Sequence, residues 1–142
     1  MTYLFLLSRS VLIAVILGMV ECYTVKGLFR VRLNSWLIII AVFTTGIVAD
    51  LLILPREMIM IHFSDKFKPG ETGYAVLALT TVFAVLSFVA YLPVKIPFYY
   101  FALSKEERTK TKALKYALTG NAVSCLIIFL GMLIYYLFEI QK

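Results

Sequence analysis

The apolar residues of the chain fall into four long runs that are separated by short polar stretches. Positions 72–94 and 116–138 carry no charged residue, and the runs 3–23 and 33–54 contain very few. A helix needs roughly 20 mostly apolar residues to cross a bilayer. The pattern predicts an all-α integral membrane protein, a multi-pass four-transmembrane-helix bundle that forms one domain over 1–142. Its helices are expected at about 3–23, 34–54, 73–94 and 105/114–138.

Two local signals bear on where the third and fourth helices begin and end. Pro93 and Pro97 should end or kink the third helix, because proline lacks the backbone N–H and clashes with the preceding turn. Ser104 followed by Glu107 has the spacing of a capping box. The fourth helix is therefore expected to begin near Lys105, with its first turns outside the membrane.

The composition excludes an ordinary soluble domain. The 142 residues are 62% hydrophobic and 15% charged, with a mean hydropathy of +0.93. Soluble domains are about 45–50% apolar and about 25% charged. A chain of this length cannot bury so much apolar surface in one core, so the lipid bilayer is its expected partner.

The distribution of lysine and arginine predicts the orientation. Cytoplasmic loops carry an excess of basic residues. One side would hold Lys26, Arg30, Arg32, Lys95, Lys105, Arg108, Lys110, Lys112 and Lys115, and the other Arg56, Lys66, Lys68 and Lys142. The bias predicts that both termini and the connection 55–72 lie on the non-cytoplasmic side.

Charged residues within spans are costly and commonly mark function. Arg9 and Asp50 are expected at similar depths, about 9 Å and about 6 Å below the outer boundary, so they are predicted to form an intramembrane ion pair. The pair would lock the first two helices in register or form part of a proton or ion path. Alternatively, Arg9 extends separately to the headgroups.

Two further polar residues lie near the inner ends of predicted spans. Glu21 is expected to meet Lys26, Arg30 or interfacial water, and a role as a coupling carboxylate stays open. Asn121 is expected to hydrogen-bond across helices, as polar side chains commonly do in membranes.

No metal or cofactor site is predicted. His62 is the single histidine, and a solvated loop is the preferred interpretation of its surroundings over a site shared with Glu57, Asp65 and Glu71. Cys22 and Cys125 match no zinc pattern and are expected at different depths, so they are predicted to be free thiols.

The segment 105–115 is strongly basic and is expected to contact anionic lipid headgroups at the cytoplasmic face. A cytoplasmic protein could also dock there, whereas nucleic acid is not an expected partner. The residues concerned are Lys105, Arg108, Lys110, Lys112 and Lys115.

Arg30 and Asn34 stand in an Arg-x-x-x-Asn spacing at the start of the second predicted helix. Together with Tyr100-Phe101 and Glu107-Arg108-Thr109, this resembles the membrane-associated eicosanoid and glutathione-metabolising (MAPEG) family of four-helix proteins. The resemblance implies that Arg30, Asn34 and Tyr100 converge on a glutathione cleft at the inner interface. It covers two short pieces, and it departs from the family at Leu37, where an acidic residue is usual, and in the long connection 55–72.

Three classes of function follow from these patterns. Stripes of small residues and the lack of a recognisable catalytic set favour a structural or accessory subunit of a larger membrane protein complex. The first alternative is a homo-oligomeric ion channel or small transporter lined by Arg9, Asp50, Glu21 and Asn121. The second is a glutathione-type, MAPEG-like membrane enzyme.

Overall fold

The described part of the chain is entirely helical apart from its connections. The structure is a computed structural model that describes residues 2–48 and 72–140. It contains α1 (Thr2–Phe29), α2 (Ser35–Val48), α3 (Thr72–Ala102) and α4 (Lys110–Ile140). Asp50 and the side chain of Arg9 lie outside the described residues. The predicted ion pair between them therefore stays a prediction. His62 and the connection 55–71 also lie outside the described ranges.

Among the residues that the structure describes, three of the four helices are long and apolar enough to cross a membrane. The qualifying stretches are Val11–Phe29, Leu77–Ala102 and Lys110–Ile134. The helix Ser35–Val48 is also apolar but shorter than these three as far as it is described. The all-helical fold is therefore confirmed over the described residues, and its three long apolar helices are consistent with a membrane protein. The fourth span and the orientation of the termini stay predictions.

The buried residues of α1 and α4 follow the spacing of a helix that packs along one face. In α1 they are Ala14, Leu17, Gly18, Glu21, Cys22 and Val25. In α4 they are Ala113, Tyr116, Ala117, Gly120, Asn121 and Ser124. Both sets repeat every three or four residues, which is the period of a single helical stripe. The other faces expose large apolar side chains, as expected where a helix faces lipid.

The helix α3 does not end at its prolines. It continues through Pro93 and Pro97 to Ala102, so the prediction of an end near residue 94 is wrong. Each proline removes one backbone donor, and neighbouring helices commonly compensate for this loss within membranes. The extra turns bring Tyr99 into the core, where its side chain is fully buried.

The fourth helix begins at Lys110, later than the predicted capping box suggested. Ser104 and Glu107 instead form a turn, in which the Glu107 N–H donates to the Ser104 carbonyl at 3.1 Å. Thr109 caps the helix, because its hydroxyl accepts from the Lys112 N–H at 3.2 Å. Threonine is a strong N-cap residue, so the helix begins directly after it.

The helices α1 and α2 approach closely at Gly18. A Cβ atom at this position would lie 2.8 Å from the Cα atom of Ile39, closer than side chains approach a backbone. Small residues allow such contacts between membrane helices. Ala14, Leu17 and Val42 continue the contact as a small apolar cluster.

A candidate intramembrane charge site

Four side chains from three helices form a polar cluster inside the bundle. Glu21 comes from α1, Lys95 and Tyr99 from α3, and Ser124 from α4. Glu21 is 0% exposed and Lys95 is 1% exposed. We refer to these four residues as the Glu21 cluster.

The carboxylate of Glu21 is the acceptor at the centre of this cluster. The Lys95 ammonium group donates to its Oε1 atom and forms an ion pair with it. The Ser124 hydroxyl donates to the same oxygen. The Tyr99 hydroxyl donates to the other oxygen, Oε2, at 3.0 Å. An ionised carboxylate only accepts hydrogen bonds, so three donors from three side chains complement it.

Helical spacing explains how these donors meet one carboxylate. Lys95 and Tyr99 are four residues apart and therefore lie on the same face of α3. Gly120 and Ser124 have the same spacing on α4. A Cβ atom on Gly120 would lie 1.9 Å from the Tyr99 hydroxyl oxygen, so glycine at this position is what admits the tyrosine.

A second polar contact joins α3 and α4 beside the cluster. The amide Nδ2 of Asn121 donates to the Phe88 carbonyl at 2.8 Å, and Asn121 is fully buried. This is an interhelical hydrogen bond of the kind expected for Asn121 from the sequence.

Glu21 does not meet the partners that the sequence suggested. Lys26 donates instead to the Ser35 hydroxyl at 3.1 Å, and the Arg30 side chain is exposed. The Cys22 sulfur lies 3.3 Å from the same Ser35 oxygen. The prediction was wrong because it considered only nearby residues, whereas the actual partner is 74 residues away.

Sequence reasoning missed Lys95, Tyr99 and Ser124 as site residues. The predicted end of the third helix near Pro93 placed Lys95 in the cytoplasmic excess of charge and left Tyr99 outside the predicted span. The available signal was the four-residue spacing of Lys95 and Tyr99, which places them on one face only if the helix continues.

The basic segment has two kinds of residue. Arg108 donates to the carbonyls of Phe101 and Leu103, both at 3.3 Å, and therefore stabilises the end of α3. Lys105, Lys110 and Lys115 are exposed. Lys112 is half-buried, and its backbone N–H is the donor to the Thr109 cap.

The residues of the MAPEG resemblance have other contacts in the structure. Asn34 caps α2, because its Oδ1 atom accepts from the Trp36 N–H at 3.1 Å. The Tyr100 ring lies 5.6 Å from the Arg108 guanidinium carbon. Arg30 and Asn34 both face outward. These contacts give Asn34 and Tyr100 local structural roles, and the glutathione cleft stays a prediction.

Over residues 2–48 and 72–140, no group of three or more histidine, cysteine, aspartate or glutamate side chains is placed to hold a metal ion. Cys22 and Cys125 are free thiols. The Cys125 sulfur lies 3.9 Å from the Asn121 side-chain oxygen.

Comparison of the chain with protein-family models, with curated proteins and with solved structures found no match.

Proposed function

We propose that the protein is a structural or accessory subunit of a larger membrane protein complex. The observation that carries this proposal is the closure of the Glu21 cluster. Its central ion pair is buried, and all the donors are supplied by the chain itself. A closed cluster holds the helices together but offers no polar group to a substrate. The function is therefore expected to depend on contacts at the outer surface of the bundle.

A groove on the outer faces of α3 and α4 supports contact with another subunit. It has a volume of about 340 Å³ and an almost wholly apolar lining. Its walls include Thr81, Ala84 and Phe88 of α3 and Ala122, Cys125 and Phe129 of α4. Short side chains let the backbone of another helix approach closely in a membrane.

The proposed topology has four spans with both termini on the non-cytoplasmic side. Its support is the excess of lysine and arginine at the end where α1 and α3 terminate and α4 begins. In this orientation the Glu21 cluster lies in the cytoplasmic half of the bilayer.

Native mass spectrometry of the protein, extracted gently from its own membrane, tests the proposed role. We expect other polypeptides to co-purify at a fixed stoichiometry. Ala122→Trp fills the groove and should release them, whereas Ala78→Trp introduces the same side chain on an exposed position outside the groove and should not. A homo-oligomer alone would overturn the proposal. In that case a trimer favours the glutathione-type enzyme, and a larger ring favours a channel.

The buried ion pair favours one other function, a small transporter coupled to protons or ions. Ionisable residues inside membrane bundles commonly lie on such pathways. A transporter would have to open the Glu21 cluster to water in turn from each side. We expect proteoliposomes to show no proton flux if the subunit role is correct. Flux that Glu21→Gln abolishes and Ser124→Ala only reduces would instead establish transport.

A further inference from the structure

The two connections at one end of the bundle are joined through their backbones. Leu33 and Leu103 form an isolated antiparallel bridge. The Asn34 N–H also donates to the Ala102 carbonyl at 3.0 Å. Residues 30–34 and 102–109 therefore form a single surface. We use the name basic end for this surface together with Lys26 and the first turns of α4.

The basic end has a large excess of positive charge. Its basic residues are Lys26, Arg30, Arg32, Lys105, Arg108, Lys110, Lys112 and Lys115, and its acidic residues are Glu106 and Glu107. Among the described residues the ion pair present is Glu21–Lys95, which belongs to the interior. Most of this positive charge is therefore not neutralised within the described part of the chain.

The contacts separate the cations that support the fold from those that face outward. Lys26 donates to Ser35, and Arg108 donates to two backbone carbonyls. Arg30, Arg32, Lys105, Lys110 and Lys115 have exposed side chains. Arg30 and Arg32 follow Phe29 in the chain and Lys115 contacts the Phe29 ring, so these three are the candidates for binding one external anion.

The local backbone and ring contacts bring Arg30 and Lys115 to the same region. Arg30 adopts a left-handed conformation with φ of 51°, which is unusual for a residue other than glycine. This turn ends α1 directly after Phe29. The Phe29 ring lies 4.7 Å from the Lys115 ammonium nitrogen and 4.8 Å from the Tyr116 ring. The start of α4 is thereby held beside the residue that precedes Arg30.

Exposed aromatic residues place this end at the level of the lipid headgroups. Trp36 is 72% exposed, and Phe101 and Tyr23 are also exposed. Tryptophan and tyrosine side chains favour the interface between hydrocarbon and water. Arginine binds phosphate oxygens through two parallel hydrogen bonds, and lysine adds a compact positive charge.

We propose that Arg30, Arg32 and Lys115 form a binding site for the phosphate group of an anionic membrane phospholipid. The site depends on both connections, because the Leu33–Leu103 bridge holds them together. It does not depend on the proposed role as a subunit. A basic residue near a membrane surface strengthens binding to anionic lipid by roughly fivefold.

Trp36 allows a direct binding measurement, because it is the single tryptophan of the chain and lies four residues after Arg32. The full-length protein in mixed micelles is titrated with dansyl-labelled phosphatidylglycerol or phosphatidylcholine, and energy transfer from Trp36 is recorded. We expect tighter binding of phosphatidylglycerol. The triple variant Arg30→Gln, Arg32→Gln and Lys115→Gln should lose roughly 100-fold in affinity, at about fivefold per charge. Inorganic phosphate at millimolar concentration should not compete if the site binds lipid.

A charge-matched control distinguishes a site from general attraction. Arg56→Gln, Lys66→Gln and Lys68→Gln remove three positive charges from the connection 55–71 and should leave binding unchanged. Three results would overturn the proposal. They are equal affinity for the two lipids, an equal loss of affinity in the control variant, and displacement of the lipid by inorganic phosphate. The single variant Arg32→Gln, with an expected loss of about fivefold, provides the same test if the triple variant does not fold.

Discussion

Replacing Glu21 with glutamine is expected to lower the free energy of unfolding by about 3–5 kcal/mol. The substitution keeps the size of the side chain but leaves Lys95 as an unpaired charge that is 1% exposed. The penalty arises from the charge that remains, because removing one partner of a buried pair costs far more than removing both. Ser124 can still donate to the amide oxygen, and the amide NH2 that replaces Oε2 can donate to the Tyr99 hydroxyl, so lost hydrogen bonds to these two residues do not explain the effect.

The measurement is unfolding of the purified protein in mixed micelles, followed by circular dichroism as the denaturing detergent is increased. The double variant Glu21→Gln with Lys95→Met removes both charges and should recover most of the lost stability. An unchanged transition for Glu21→Gln would contradict a buried ion pair. A double variant no more stable than the single one would show that Lys95 is not the cause.

Gly120→Ala is expected to destabilise the bundle by about 1–3 kcal/mol through overpacking. The new methyl group would lie 1.9 Å from the Tyr99 hydroxyl oxygen and 3.0 Å from the Glu21 Oε2 atom. Tyr99 must therefore move, and its hydrogen bond to Glu21 is lost with it. The clash outweighs the higher helix propensity of alanine, which is worth at most about 1 kcal/mol.

Gly131→Ala provides the control on the same helix, since a Cβ atom there meets nothing within 4 Å. It should be neutral or stabilising in the same detergent titration. Adding Tyr99→Phe to Gly120→Ala removes the clashing oxygen and should restore part of the stability. Equal transitions for the two alanine variants would show that Tyr99 does not occupy the position beside Gly120.

The helices could be predicted from the sequence because long apolar runs have few alternatives in a chain of this composition. Their ends were harder to predict. The prolines were expected to end the third helix near residue 94 or to kink it, and the helix in fact continues to Ala102. In water, the backbone hydrogen bond lost at a proline and the steric clash usually end a helix. In this bundle the helix continues, because side chains on both sides of Pro97 form hydrogen bonds to another helix. Lys95 and Tyr99 bind Glu21 from both sides of that proline.

The Glu21 cluster could be predicted only in part. Glu21 and Asn121 were recognised because a charged or amide side chain within an apolar run is conspicuous. Their partners were not, since pairing depends on which faces of distant helices meet. Ser124 is 103 residues from Glu21, and neither residue indicates the other. The choice of Lys26 or Arg30 reflected closeness in sequence, which has little bearing on contacts within a bundle.

The separation of Glu21 from Lys95 also has a consequence for biosynthesis. The lysine is 74 residues later in the chain, and ribosomes add about 5–20 residues per second. Lys95 is therefore synthesised roughly 4–15 s after Glu21. The ion pair between α1 and α3 therefore forms only after α3 has been synthesised, so α1 is made before the residue that neutralises its buried carboxylate.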